Sequence, residues 1–186
     1  MLAAGASRRL PGPKQLLRYR GVTLVRRAAQ TAVEAACGPV VVVLGATALQ
    51  LRFELVDLDV RIVENPHAAE GLSTSVRAGL DALCVAGDPD AVLFMTCDQP
   101  LLTADVLTQI VAAYAATRPP AVACEYGGTV GVPAQFDRAL FGEQRALEGD
   151  QGAKRILERH LGQTARIPFE PGSLDIDTPE DVSRLS

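Results

Sequence analysis

Met1-Leu-Ala-Ala-Gly-Ala-Ser-Arg-Arg-Leu-Pro-Gly-Pro-Lys-Gln-Leu-Leu17 is the stretch from which the rest of the chain can be read. Two apolar residues, Met1 and Leu2, run into a turn of small residues, Ala3, Ala4, Gly5 and Ala6. Ser7, Arg8 and Arg9 follow, and Lys14 comes after a Pro11-Gly12-Pro13 break. Small side chains let backbone N–H groups close on an anion, and Gly5 is expected to supply a φ that other residues resist. The surrounding charge is one-sided: residues 1–27 hold Arg8, Arg9, Lys14, Arg18, Arg20, Arg26 and Arg27, with no Asp or Glu. On chemistry alone two readings stand, a phosphate-binding loop and a basic surface loop. The stretch is not a P-loop, which needs Gly-Lys-Ser/Thr, nor a Gly-x-Gly-x-x-Gly fingerprint.

A chain of 186 residues is expected to form one domain, 1–186, with a substantial core. Hydrophobic residues at 48% argue against disorder. Aromatics at 4%, no Trp and a net charge of −4 argue against a nucleic-acid partner. The basic N-terminal patch suits one small anion. Cys37, Cys84, Cys97 and Cys124 form no Cys-x-x-Cys pair, and there are only 2 His, so neither a zinc site nor a disulfide framework is expected. The expected setting is the cytoplasm, with no membrane span and no signal peptide. A phosphate loop normally follows a buried strand, so either that strand is very short here or a few residues precede Met1.

Along the chain, apolar spacing predicts helices over 23–36, 47–56, 71–83, 103–116 and 150–160. Leu72, Val76, Leu80 and Leu83 are expected to face inward from the third. Continuous apolar runs at 40–44 and 91–96 predict strands buried on both faces, with further strands at 60–63, 122–125, 130–132 and 165–168. Strands and helices alternate to residue 117, which predicts an α/β fold with a mostly parallel sheet. The stretch 118–150 breaks the alternation and is expected to form a lobe over the sheet's carboxyl edge, where ligands of open α/β sheets bind.

Several residues at element ends could carry chemistry. Asp98, directly after the 91–96 strand, reads either as a cation ligand or as a turn aspartate. Asp175-Ile-Asp177-Thr-Pro-Glu-Asp181 is a second acidic cluster, in which Asp177 or Thr178 would cap a short final helix. Two carboxylates meeting across a cleft repel unless a cation lies between them, and magnesium accepts one or two carboxylates plus substrate phosphates. Asp98 and Asp177 meet that description; Asp175 is a further, weaker candidate. Ser73 and Ser75 would sit near a helix N-terminus, either binding a phosphate or base edge or simply capping. Asp150 reads as an N-cap. His67 and His160 read as surface residues.

Leu2-Ala3-Ala4-Gly5-x-Ser7-x-Arg9 with Pro13-Lys14 resembles the signature loop of the MobA-like nucleotidyltransferases, closest to the molybdenum cofactor cytidylyltransferase branch. Asp98-Gln99-Pro100, Asn65-Pro66-x4-Gly71-x-Ser73-x-Ser75, and Asp175 to Asp181 resemble the family's later motifs in the same order. The resemblance implies a Rossmann-like three-layer fold of the nucleotide-diphospho-sugar transferase type. It implies that Leu2, Ala3, Ala4, Gly5, Ser7, Asn65, Gly71, Ser73 and Ser75 bind the nucleotide, that Lys14 and Arg9 are catalytic, and that Asp98 and Asp177 hold Mg2+. The implied reaction moves a nucleoside monophosphate from a nucleoside triphosphate, CTP favoured by Ala4, to molybdopterin or another phosphorylated acceptor, with a molybdoenzyme as further partner. The alternatives are a guanylyltransferase, transfer to a sugar phosphate or phospholactate, and a non-catalytic cofactor chaperone. Two positions depart from the pattern: Pro11 stands where the family has Gly, and Val132 where many cytidylyltransferases have His.

Overall fold

β1, only Leu2–Ala3, lies inside the sheet in a computed structural model that describes residues 1–7 and 9–183. Arg8, counted in the basic run above, lies outside the described residues. On one side β1 pairs parallel with β4 (Val41–Leu44), which pairs parallel with β5 (Arg61–Glu64). On the other, Leu2 bridges Thr96 just beyond β6 (Ala91–Phe94). From β6 the sheet continues through β8 (Thr129–Asp137) and β7 (Ala121–Tyr126) to β9 (Thr164–Pro168). The spatial order is therefore β5-β4-β1-β6-β8-β7-β9, with β8 antiparallel to its neighbours. A small hairpin, β2 (Arg18–Tyr19) and β3 (Val22–Thr23), stands apart.

Side chains alternate across the sheet and build a core on each face. Val42 and Leu44 of β4 and Val122 and Cys124 of β7 join one core. It includes Val25 and Ala29 of α1 (Leu24–Glu34), Leu51 of α2 (Ala48–Phe53) and Ile110 of α4 (Ala104–Thr117). Val41, Val43, Ala121 and Ala123 join the other, with Val76 and Leu80 of α3 (Leu72–Ala86). Phe141 of α5 (Phe141–Arg145) and Ile156 of α6 (Ala153–Arg159) complete that layer. This is the α/β arrangement that the alternation predicts, in the three layers that the resemblance implies.

Two expectations are corrected. The stretch 118–150 does not form a lobe: residues 121–137 make the β7–β8 hairpin inside the sheet, turning at Gly127 (φ 55°) and Gly128 (φ 71°). Its run Ala121-Val122-Ala123-Cys124 is fully buried, as only a central strand can be. Leu72 does not face inward but is 41% exposed, because it begins α3 at the rim of a cleft beside Gly152.

Candidate active site

The loop from Ala4 to Pro13 leaves the carboxyl end of β1 and forms one wall of a cleft of about 650 Å³. Ala46, Thr47, Ala68, Ala69, Leu72 and Ser75 form the facing wall. The left-handed residue among the described part of the loop is Ser7 (φ 49°), not Gly5. Ser7 tolerates that conformation because its hydroxyl is engaged, accepting from the Lys14 N–H (2.8 Å) and donating to Gln15 Oε1 (3.4 Å). Gly5 lines the cleft and has open space where a side chain would stand. Gly45 is the position that needs its hydrogen, since a Cβ there would lie 2.7 Å from the Ala4 carbonyl oxygen.

The four charged candidates meet. Lys14 Nζ donates to Asp98 Oδ2 at 2.6 Å and to Asp177 Oδ1 at 2.6 Å, and Arg9 donates to Asp177 Oδ2 at 2.8 Å. Lys14 and Asp98 side chains are 14% and 16% exposed. Burial works to lower the Lys14 pKa, but Asp98 and Asp177 outweigh it and hold the ammonium charged, above the usual lysine range. Asp175 stands behind the pair; burial, then the charges of Asp98 and Asp177, push its carboxyl above the usual range.

The local folding explains why Asp177 is available. Thr178 rather than Asp177 caps the final helix α7 (Pro179–Ser183): its Oγ1 accepts from the Asp181 N–H (3.3 Å), while Asp181 Oδ2 accepts from the Thr178 N–H (2.9 Å). With the cap made by its neighbours, the Asp177 carboxylate points to Lys14. Ile176, fully buried, donates its N–H to the Asp98 carbonyl at 2.9 Å and ties the two acidic segments together.

The α3 residues divide into lining and support. Ser75 lines the cleft. Asn65, buried behind it, donates Nδ2 to Ser75 Oγ (3.0 Å) and Thr74 Oγ1 (2.8 Å) and accepts from the His67 N–H (3.0 Å). Gly71 (φ 126°) lets residues 149–150 close on the start of α3; a Cβ there would lie 2.2 Å from the Gly149 carbonyl. Ser73, 1% exposed, sits behind the wall with its N–H on the Gly149 carbonyl (3.0 Å). Leu2 and Ala3 are buried in β1. Of the expected nucleotide-binding residues, Ala4, Gly5, Ser7 and Ser75 therefore line the cleft, and Leu2, Ala3, Asn65, Gly71 and Ser73 stand behind it. Asp150 does not cap α6, whose N-cap is Gly152; it lines the cleft instead. His67 and His160 pair with Glu70 and Glu143, both at 2.7 Å, and neither lines the cleft.

The donor set suits a hard divalent cation. Both carboxylates offer oxygen, and a positive charge, the Lys14 ammonium, already lies between them. Among the described residues no group of three or more His, Cys, Asp or Glu gathers as a metal-ligand set, so phosphate oxygens and water would complete the shell. A second cavity of about 380 Å³ lies at the opposite, amino edge of the sheet, lined by Ala32, Leu83 and Leu107 among others, and contains none of these charged residues.

The MobA-like NTP transferase domain family matches residues 1–165. The chain belongs to that family. Its members bind a nucleoside triphosphate and a phosphorylated acceptor, use divalent metals, and transfer nucleotidyl groups. The chain is 34% identical to the nicotine blue oxidoreductase of Paenarthrobacter nicotinovorans, over all of this chain and 94% of the relative. It is 30% identical to the purine catabolism protein PucB of Bacillus subtilis strain 168, over 99% of this chain and 93% of that protein. The manganese complex of Rv0371c from Mycobacterium tuberculosis H37Rv superposes with a TM-score of 0.78 at 30% identity, over 99% of this chain and 94% of that one. Among the described residues no helix is long and apolar enough to cross a membrane.

Sequence reading missed Gln15. It follows Lys14, is 1% exposed, and donates Nε2 to the carbonyls of Ala3 (2.9 Å) and Gly5 (2.8 Å). A signal was present: a polar residue beside Leu16 and Leu17, directly after the catalytic candidate.

Proposed function

We propose that the protein transfers a cytidylyl group from CTP to the phosphate of molybdopterin carrying molybdenum, with magnesium, and releases pyrophosphate. An acceptor phosphate oxygen attacks the α-phosphorus, and the bond from that phosphorus to the α,β-bridging oxygen breaks. A phosphate nucleophile is already ionised at neutral pH, so no protein base is needed, and positioning and charge neutralisation carry the rate. Ala4, Gly5 and Ser7 bind the phosphates, and Ser75 meets the nucleoside. Lys14 and Arg9 turn from the carboxylates to the triphosphate and balance the charge that grows on the leaving group. Asp98 and Asp177 would hold the magnesium, which when bound would supply further neutralisation of the phosphates. Leu2, Ala3, Asn65, Gly71 and Ser73 shape these surfaces from behind.

The observation that carries this reading is the Lys14 ammonium lying 2.6 Å from both Asp98 and Asp177 at the mouth of a loop-walled cleft. The branch, and with it CTP and molybdopterin, is supported by the Leu2-Ala3-Ala4-Gly5 spelling of the loop. We place the reaction in the cytoplasm, supported by four cysteines that are all free, with delivery of the product to a molybdoenzyme.

A second reading, oxidation or reduction of a small molecule, is favoured by the name of the Paenarthrobacter relative. The loop here lacks the Gly-x-Gly-x-x-Gly spelling of dinucleotide-dependent oxidoreductases. One experiment separates the readings: pyrophosphate release with magnesium and CTP, GTP, ATP or UTP, each with and without molybdopterin, beside an assay of NADH and NADPH oxidation. Release with CTP only when molybdopterin is present is the expected result. Release with another nucleotide moves the branch, and NADH or NADPH oxidation without pyrophosphate overturns the transferase reading.

A further inference from the structure

None of the described residues between Ala4 and Pro13 belongs to a helix or strand, so the loop's shape needs another cause. Gln15 supplies it. Both hydrogens of its amide nitrogen are used, on the Ala3 and Gly5 carbonyls, and its oxygen accepts from Ser7 Oγ at 3.4 Å. Ser7 Oγ in turn accepts from the Lys14 N–H at 2.8 Å. One buried side chain on the returning limb thus grips Ala3, Gly5 and Ser7 of the outgoing limb, and Ser7 in turn holds the Lys14 backbone.

In a planar trans peptide the C=O and N–H point in opposite directions. By drawing the Ala3 and Gly5 carbonyls onto itself, Gln15 turns the N–H groups of the same two peptides, those of Ala4 and Ala6, away from itself. Ala4 and Ala6 line the cleft, and Gln15 does not. Without that grip the Gly5–Ala6 peptide, which no strand pairing holds, could present its carbonyl oxygen to the cleft, where it would repel a phosphate.

We propose that Gln15 is a positioning residue that fixes the polarity of the loop, N–H groups toward the triphosphate, and so sets affinity for the phosphate chain rather than for the acceptor. This rests on the nucleotide-binding reading above. Gln15→Met removes the donors at nearly equal volume. Gln15→Asn keeps an amide too short to span both carbonyls and serves if the first variant does not fold. Gln144→Met is the control: Gln144 is fully buried in α5, and its amide has no hydrogen-bond partner among the described residues.

The test is a calorimetric titration with inorganic tripolyphosphate, which has no base or sugar and so does not depend on which nucleotide is the substrate. Each Gln15 variant is expected to bind tripolyphosphate about tenfold or more weakly than the wild type. KM for the nucleotide rises in step, while KM for the acceptor stays unchanged, and Gln144→Met binds tripolyphosphate as the wild type does. A folded Gln15 variant that binds tripolyphosphate like the wild type overturns the proposal. So does an equal loss in Gln144→Met, which would mean general loosening, or a wild type that does not bind tripolyphosphate. A wild type that binds it but releases no pyrophosphate with any acceptor sinks the enzymatic reading and leaves the loop assignment standing.

Discussion

Lys14 and Asp177, 163 residues apart in the chain, are joined by a 2.6 Å contact between Nζ and Oδ1. The ammonium lies between Asp177 and Asp98; on the function proposed above, a divalent cation held by the same two carboxylates would have to displace it. Lys14→Ala is expected to bind Mn2+ more tightly than the wild type in the absence of nucleotide, read by electron paramagnetic resonance. The same variant is expected to lose about 10²–10³-fold in kcat, the cost of removing a charge that stabilises the transition state. Weaker Mn2+ binding in Lys14→Ala would count against the competition.

Asn65 acts on the cleft through Ser75. Asn65→Ala removes two donated bonds and one accepted bond from a buried cluster. The expected loss of stability is about 1–3 kcal/mol, read by denaturant unfolding, with a raised KM for the nucleotide and a near-normal kcat. A collapse of kcat at normal KM would instead assign Asn65 a direct part in the chemistry.

Gly71 is where the chain has no room for a side chain. Gly71→Ala would set a Cβ 2.2 Å from the Gly149 carbonyl in a left-handed conformation (φ 126°). It is expected to cost about 2 kcal/mol or more and to push residues 149–150 from the cleft. An unchanged melting temperature would contradict the close approach.

The Arg26 guanidinium makes two 2.7 Å bonds to Asp57 and holds its carboxyl at about 2, below the ordinary 3.8. A folded value below the unfolded one stabilises the fold at pH above the unfolded value, and that contribution is lost as pH falls through the folded value. Wild type should therefore be more stable than Asp57→Asn at neutral pH, with the difference fading between pH 3.8 and about 2. An NMR titration showing Asp57 ionising at its ordinary value would remove the effect.

The layers were legible from the chain because apolar runs and helical spacing are local. Val41–Leu44 and Leu24–Glu34 lie within a residue or two of where the spacing puts them. The strands at 122–125 and 130–132 were legible too, but their place in the sheet was not, since the run Ala121-Val122-Ala123-Cys124 does not say that β8 will insert between β6 and β7. In the site, the meeting of Asp98 with Asp177 could be expected from charge and motif. The cation between them could not, because contacts spanning 84 and 163 residues leave no local trace. Gln15 was marked only as a polar residue beside Leu16 and Leu17; the backbone carbonyls it holds carry no sequence signature.

The most direct test of the central claim follows the phosphorus. CTP, molybdopterin carrying molybdenum, magnesium and the purified protein are mixed and monitored by phosphorus NMR. The expected result is free pyrophosphate together with a new phosphoric anhydride joining the nucleotide's α-phosphorus to the acceptor, neither of which forms with Lys14→Ala. Inorganic phosphate without pyrophosphate, or an unaltered CTP spectrum with every nucleotide and phosphorylated acceptor tried, would contradict it.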